Sequence, residues 1–291
     1  MTSAPPAPQS SAPTTTNPAS ATSAPTTTIP LPLPKLKRKP LLRLEIRDLS
    51  SKGAHIFLTH TDMSSALQTA VDTVVRLLYS SLPHHCIPDT RSVTLVIRSM
   101  GGVAYTTGLD LDSDHKEIHL STEYIENISS DRVKEEIMGV VVHEMVHCWQ
   151  HDARGTAPGG LIEGVADWVR LKAGFAPPHW KRRADGDWDR GYDVTAFFLE
   201  WLEDSYGVDI VRRVNEGLRQ DKYKEKTFWK DCCGKSVADL WEEYGRSLKK
   251  GDENSESSEP IPSCPPISNA EPIASAEQGD GCRRTSIDDA A

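Results

Sequence analysis

His143-Glu144-Met145-Val146-His147 sets two imidazoles four residues apart with a carboxylate beside the first. On a helix, positions i and i+4 share a face, so both rings can reach one metal ion. Glu144 projects about 100° further round the axis, close enough to take a proton from water at that ion. A purely structural role would bury two imidazoles and a carboxylate in a Val-rich helix, where each needs a partner. A zinc ion, Zn2+, would supply one.

A hydrolytic zinc site needs a third protein ligand and an open position. The pattern with a glycine seven residues after the first histidine and a ligand three further fails, because Gln150 and Ala153 stand there. The other arrangement takes a glutamate from a following helix with an acid one turn on, and Glu163-Gly164-Val165-Ala166-Asp167 fits it. Asp167 can then accept the second N–H of one histidine, fixing its tautomer. Apolar Leu161, Ile162, Val165, Ala166 and Trp168 argue against a solvated face for these two acids. His151 is a rival ligand that continues the i+4 series, but three positions along one helix spread over two turns. The plainer reading of His151 is a surface residue in a polar turn.

The elements that must position these groups follow from periodicity. Leu41–Ile46 alternates like a half-buried strand, Ala54–Leu58 is a weaker second strand, and Val93–Ile97 is a buried one. Residues 62–79 show a helical apolar stripe with Thr61 or Asp62 as cap. Gly101–Gly108 and Lys116–Ser121 flank a polar loop, 109–115, and form an antiparallel hairpin. Asp110, Asp112 and Asp114 lack the rest of a calcium loop and read as solvated. Beyond residue 130 the pattern is helical. A helix capped by Ser130 or Asp131 runs to about His151, and Leu161–Ala173 follows, stopped by Gly174. Further helices lie near 192–205, 208–220 and 236–249. Strands first and helices after predict an α+β fold.

The segment His143-Glu-Met-Val-His-Cys-Trp-Gln150, then Ala157–Gly174 with its Glu163…Asp167, and Ala176-Pro-Pro-His-Trp180 together resemble the plant basic secretory protein family. Gly102–Gly108, Glu117–Ser121 and Gly191-Tyr-Asp-Val-Thr-Ala196 are similar to further segments of it. The resemblance spans about 41–250 and implies a zincin-like, gluzincin-like fold. It comprises an N-terminal mixed sheet with helices, an active-site helix carrying the HExxH, and a mostly helical C-terminal part. It implies a zinc peptidase acting on a peptide or protein substrate. His143, His147 and Glu163 would be ligands, Glu144 the base and Asp167 the support of a ligand. Tyr192 is the candidate donor to the oxyanion, with His179 as runner-up, and the strand around Ile118 is the candidate edge for an extended substrate. Two other classes stay open: a non-catalytic binding protein on a zincin scaffold, in defence or stress, and a chaperone or structural domain with a chance motif.

The chain of 291 residues carries Lys+Arg 33 against Asp+Glu 42 for a net charge of −9, which argues against a general nucleic-acid binder. No apolar run is long enough to cross a membrane. Residues 1–40 are almost all Ser, Thr, Pro and Ala before a basic cluster at Lys35–Lys39, and residues 251–291 are acidic and poor in aromatics. Both read as disordered tails around a 41–250 domain. No secretory leader is visible, so a cytoplasmic location is expected, with a nuclear address at the basic cluster or unconventional secretion as alternatives. The 6 cysteines show no framework spacing and read as thiols.

Overall fold

The computed structural model describes residues 31–256 apart from Asp110. The stretches 1–30 and 257–291, with Cys264 and Cys282, therefore lie outside the described residues, as does Asp110 of the acidic loop. The chain divides after Lys249; the first unit holds the sheet and the helices around it, and the second is described only at 250–256, within its last helix.

The fold is α+β. Four strands, β1 (Leu41–Ile46), β2 (Ser92–Arg98), β3 (Ala104–Leu109) and β4 (Asp112–Ser121), form one mixed sheet in the order β1-β2-β4-β3. β1 and β4 run parallel to β2, while β3 returns antiparallel to β4. Val93, Leu95 and Ile97 of β2 and Ile118 and Leu120 of β4 are fully buried, so these β-branched and Leu-rich runs form the centre of the sheet. Leu41 and Leu44 of β1 remain exposed, as befits an edge. The expected hairpin is present, but its turn is tight: β4 begins at Asp112, and Asp112 pairs with Arg91 while the Asp114 carbonyl accepts from the Arg91 N–H.

The helices are α1 (Lys52–His60), α2 (Met63–Tyr79), α3 (Thr122–Glu126), α4 (Val133–His147), α5 (Gly159–Lys172), α6 (Tyr192–Tyr206), α7 (Ile210–Gly217), α8 (Glu225–Cys233) and α9 (Val237–Glu256). α2 starts at its expected cap, Asp62, whose side chain accepts from the Ser64 N–H, and it buries Leu67, Ala70, Val71, Val74, Val75 and Leu78. The second strand expected at Ala54–Leu58 is instead α1. Ser51 caps it and Gly53, Ala54 and Phe57 are buried on one side, a 3–4 spacing that the short stretch Ala54–Leu58 conceals. A Cβ on Gly53 would lie 2.3 Å from the Thr122 carbonyl oxygen, so α1 and α3 meet at backbone contact.

α4 begins later and ends earlier than expected. Neither Ser130 nor Asp131 caps it: Asp131 accepts from Ser129 Oγ, the cap position is Arg132 with no side-chain hydrogen bond, and the first helical residue is Val133. The helix stops at His147 with Cys148 as its C-cap, so His151 already lies in the turn beyond it, before Ala153 and Arg154 with φ of 55° and 60°. Ile137 to Val146 are all buried, and burying one such Val or Met side chain contributes about 1.5–3 kcal/mol. α4 is thus the central helix, with α2 and α5 packed against it and β3 passing nearby. Phe198, Trp188, Trp229 and Tyr244 gather α6, α8 and α9 into an aromatic cluster. The segment 31–40 lies against this body: Pro32 O accepts from Ser80 Oγ, and Lys37 and Arg38 both pair with Asp89 at 2.7 Å. Among the described residues no helix is long and apolar enough to cross a membrane. Cys86, Cys148, Cys232 and Cys233 are all thiols.

Candidate metal centre

α4 and α5 bring the sequence-predicted residues together. His143 Nε2 lies 3.1 Å from Glu163 Oε2 and 3.3 Å from His147 Nε2, and His147 Nε2 lies 3.8 Å from the same carboxylate oxygen. Among the described residues these three form the group that could hold a metal ion, with ligand atoms all within 4.8 Å. A tetrahedron with bonds of about 2.0–2.1 Å has edges of roughly 3.3–3.4 Å. Two imidazole nitrogens and one carboxylate oxygen at these separations therefore fit zinc in both donor chemistry and spacing.

Asp167, one turn beyond Glu163, is buried and accepts from His143 Nδ1 at 2.6 Å. Burial opposes charge on the His143 ring, but the hydrogen bonds to Asp167 and Glu163 outweigh it and lift its pKa to about 9. Burial, and then the charge on His143, push His147 down to about 4. The hydrogen bond from His143 holds Glu163 below the usual carboxylate range against its partial burial. Glu144, buried beside His143 on the same helix, is pushed up by burial and further by the charges of Glu163 and Asp167.

The position of α5 comes from two glycines on the face that meets α6. A Cβ on Gly160 would fall 1.6 Å from the Asp189 carbonyl oxygen, and one on Gly164 would fall 2.3 Å from Thr195 Cγ2. Glu163 is carried between them. The Cβ site of Gly191 lies 3.4 Å from Glu163 Cβ, so the first residue of α6, Tyr192, emerges beside the three ligand atoms.

A cleft of about 770 Å³ opens over these groups, walled by Val103–Thr106, Tyr124, Glu136, Val140, Arg170, Pro177, His179, Trp180, Tyr192 and Asp193. Tyr192 and His179 both face it. The charge on Glu163, then burial, then Asp167 and Glu144 raise the Tyr192 pKa, which places the phenol within the field of all three carboxylates and keeps it protonated. His151 is not in this group. Its Nε2 bonds the Cys86 carbonyl at 2.9 Å and its backbone N–H donates to Asn215, which makes it a half-buried structural residue rather than a ligand or a surface turn. The strand around Ile118 is interior, between β2 and β3, so the edge beside the cleft is β3 instead.

Four cleft or ligand contacts escaped the sequence. Thr106 Oγ1 donates to Glu144 Oε2 at 2.7 Å, a contact across 38 residues with no local signal. Gln150 Nε2 lies 2.8 Å from His147 Nδ1, and its i+3 spacing from His147 could have drawn attention. Arg170, one turn beyond Asp167, donates at 2.8 Å to Glu136, two turns before His143, and Tyr124 OH donates to the same oxygen.

A family model described as a peptidase of plants and bacteria matches residues 39–244, well over half of the chain. No curated protein and no solved structure matches.

Proposed function

Since the chain belongs to the BSP family, the peptidases of plants and bacteria, we propose that it is a zinc-dependent peptidase whose ion is held by His143 Nε2, His147 Nε2 and a Glu163 oxygen. The observation that carries this reading is the convergence of those atoms from two helices to separations of 3.1, 3.3 and 3.8 Å. An ion bound there would supply Lewis acidity, polarising a peptide carbonyl and bringing the pKa of water toward about 7.

The remaining steps belong to the chain. Glu144 takes the proton from water and returns it to the leaving amine; burial raises its pKa, which strengthens it as a base. Thr106 holds one carboxylate oxygen of Glu144, leaving the other directed to the reacting atoms. Tyr192 donates its phenolic hydrogen to the oxyanion that forms at the carbonyl, with His179 across the cleft as the second candidate. The substrate backbone lies along the outer edge of β3, whose other edge is bonded to β4, and this directs an extended peptide past Glu144. The mixed polar and aromatic walls suit a peptide or protein substrate.

The test is a metal analysis combined with a peptide-library digest of wild type and Glu144→Gln. Stoichiometric zinc in both and cleavage by wild type alone is the expected result. Cleavage that survives Glu144→Gln removes that residue as the base. Zinc retained after Glu163→Ala removes Glu163 as a ligand. Zinc without cleavage of any peptide returns the chain to the non-catalytic scaffold reading.

A further inference from the structure

His147 has two ring nitrogens with different neighbours. Nε2 faces His143 Nε2 at 3.3 Å and Glu163 at 3.8 Å, so it is the atom available to an ion. Nδ1 faces Gln150 Nε2 at 2.8 Å. An amide nitrogen only donates, so this contact is a hydrogen bond only when Nδ1 accepts and the ring proton is left to Nε2. Ligation through Nε2 demands the opposite tautomer: the proton moves to Nδ1, and Nδ1–H then needs an acceptor. Facing it with Gln150 Nε2 would set donor against donor.

We propose that Gln150 is the positioning residue for His147, and that its amide reverses when zinc binds so that Oε1 accepts from Nδ1–H. The inference rests on the zinc reading above. The structure supplies the freedom for the turn. Gln150 Oε1 is buried and has no hydrogen-bond partner among the described residues, so a half-turn about the terminal torsion breaks no second bond. That torsion is a broad sp³–sp² rotor without steep wells. His143 is held differently. Its Nδ1 meets Asp167, whose carboxylate accepts whether or not an ion is present. One ligand thus has a fixed acceptor, and the other has an amide that serves both tautomers.

The sign of the effect separates this from a packing role. The experiment measures the zinc dissociation constant of the full chain by chelator competition, and the visible absorption of its cobalt form, for wild type, Gln150→Met and Gln150→Glu. Methionine keeps the length and apolar contact of glutamine but offers no acceptor of comparable strength. It should weaken zinc by roughly 10–100-fold and shift the cobalt bands. Glutamate can only accept; it should bind zinc within about threefold of wild type, or tighter, and preserve the bands. Equal affinity of Gln150→Met and wild type would overturn the proposal, as would Gln150→Glu being the weakest binder. Should Gln150→Met fail to fold, Gln150→Glu against wild type decides the sign alone. If wild type itself takes up no stoichiometric zinc, the zinc reading falls and this inference with it. If wild type binds and Gln150→Met binds equally, only the role of Gln150 falls.

Discussion

Replacing Gly164 by alanine sets a favourable backbone effect against a steric one. In a helix interior, alanine is better than glycine by about 0.8–1 kcal/mol. The new Cβ, however, would lie 2.3 Å from Thr195 Cγ2 and 2.4 Å from Thr195 Cβ. Carbon atoms in contact sit about 3.5–4.0 Å apart, so the deficit is roughly 1.2–1.7 Å. Thr195 cannot rotate out of the way cheaply. Its hydroxyl donates to the Trp188 carbonyl at 2.8 Å and accepts from the Gly191 N–H at 3.0 Å. The clash must therefore part α5 from α6. Overpacking of this kind costs about 1–3 kcal/mol, and an overlap this deep against a locked partner belongs at the upper end. After the gain in helix propensity, a net loss of about 2 kcal/mol remains. That is roughly 4–8 °C in Tm for a domain of this size.

The functional consequence is larger, because Glu163 precedes Gly164 on the same turn. A 1 Å displacement at a reacting centre can cost about 10²-fold in rate. Thermal unfolding, zinc affinity by chelator competition and peptide cleavage should all worsen together in Gly164→Ala. Gly159→Ala is the control: nothing lies within 4 Å of its Cβ site, so neither stability nor zinc affinity should fall. A Gly164→Ala protein that melts at or above wild type and binds zinc equally would refute the claim that these glycines set the place of Glu163.

Tyr192→Phe should lower kcat by about 10²–10³ while leaving zinc content unchanged, since the ring is 59% exposed and holds little of the core together; steady-state kinetics and metal analysis check both. Arg170→Gln breaks a partly buried pair and should cost about 1–3 kcal/mol at neutral pH. Burial works to raise the Glu136 pKa, but the hydrogen bond from Tyr124 and the Arg170 guanidinium hold it below the usual range. Its contribution is therefore present above the unfolded value of about 4.3 and lost as pH falls through the lower folded value, so urea melts of wild type and variant should converge in strong acid. Glu144 has the reverse sign. Burial raises its pKa, so the folded metal-free protein holds a proton that the unfolded chain releases, and stability falls as pH rises through that window. Metal-free Glu144→Gln should thus melt above wild type at pH 8 and close to it at pH 4, a cost in stability that the proposed base imposes on the fold.

The parts of this architecture governed by one face of one element were legible from spacing. The stripe Leu67–Leu78 with its Asp62 cap is an example, and so is the pairing of His143 and His147 with Glu163 and Asp167, because i, i+4 repeats are local geometry. The α1 segment departs from its strand reading because a run as short as Ala54–Leu58, four apolar residues and His55, does not separate the two periods. His151 departs from the surface-turn reading because its partners, the Cys86 carbonyl and the Asn215 side chain, stand more than sixty residues away in the sequence. The free edge at β3, the Thr106 contact to Glu144 and the Arg170–Glu136 pair depend on which elements lie side by side. That order follows from the whole sheet and helix set and leaves no mark at short range.

A site built on two helices needs more than its ligands. Apolar contact between α4 and α5 is non-directional and fixes closeness better than rotation. A slip of one residue along α5 would turn it by about 100° and carry Glu163 off the imidazoles. Glu163 meets His143 and His147, Asp167 meets His143, and Arg170 meets Glu136, so partners fall in opposite chain directions along the two helices. Three polar contacts spaced i, i+4, i+7 on α5 cannot be satisfied in any neighbouring register. On its other side Gly160 and Gly164 admit only the backbone of the 189–195 segment and the Thr195 side chain. The Arg170–Glu136 pair therefore acts on the metal centre from a distance, by making the one rotation of α5 that aims Glu163 also the one that leaves no buried charge without a partner.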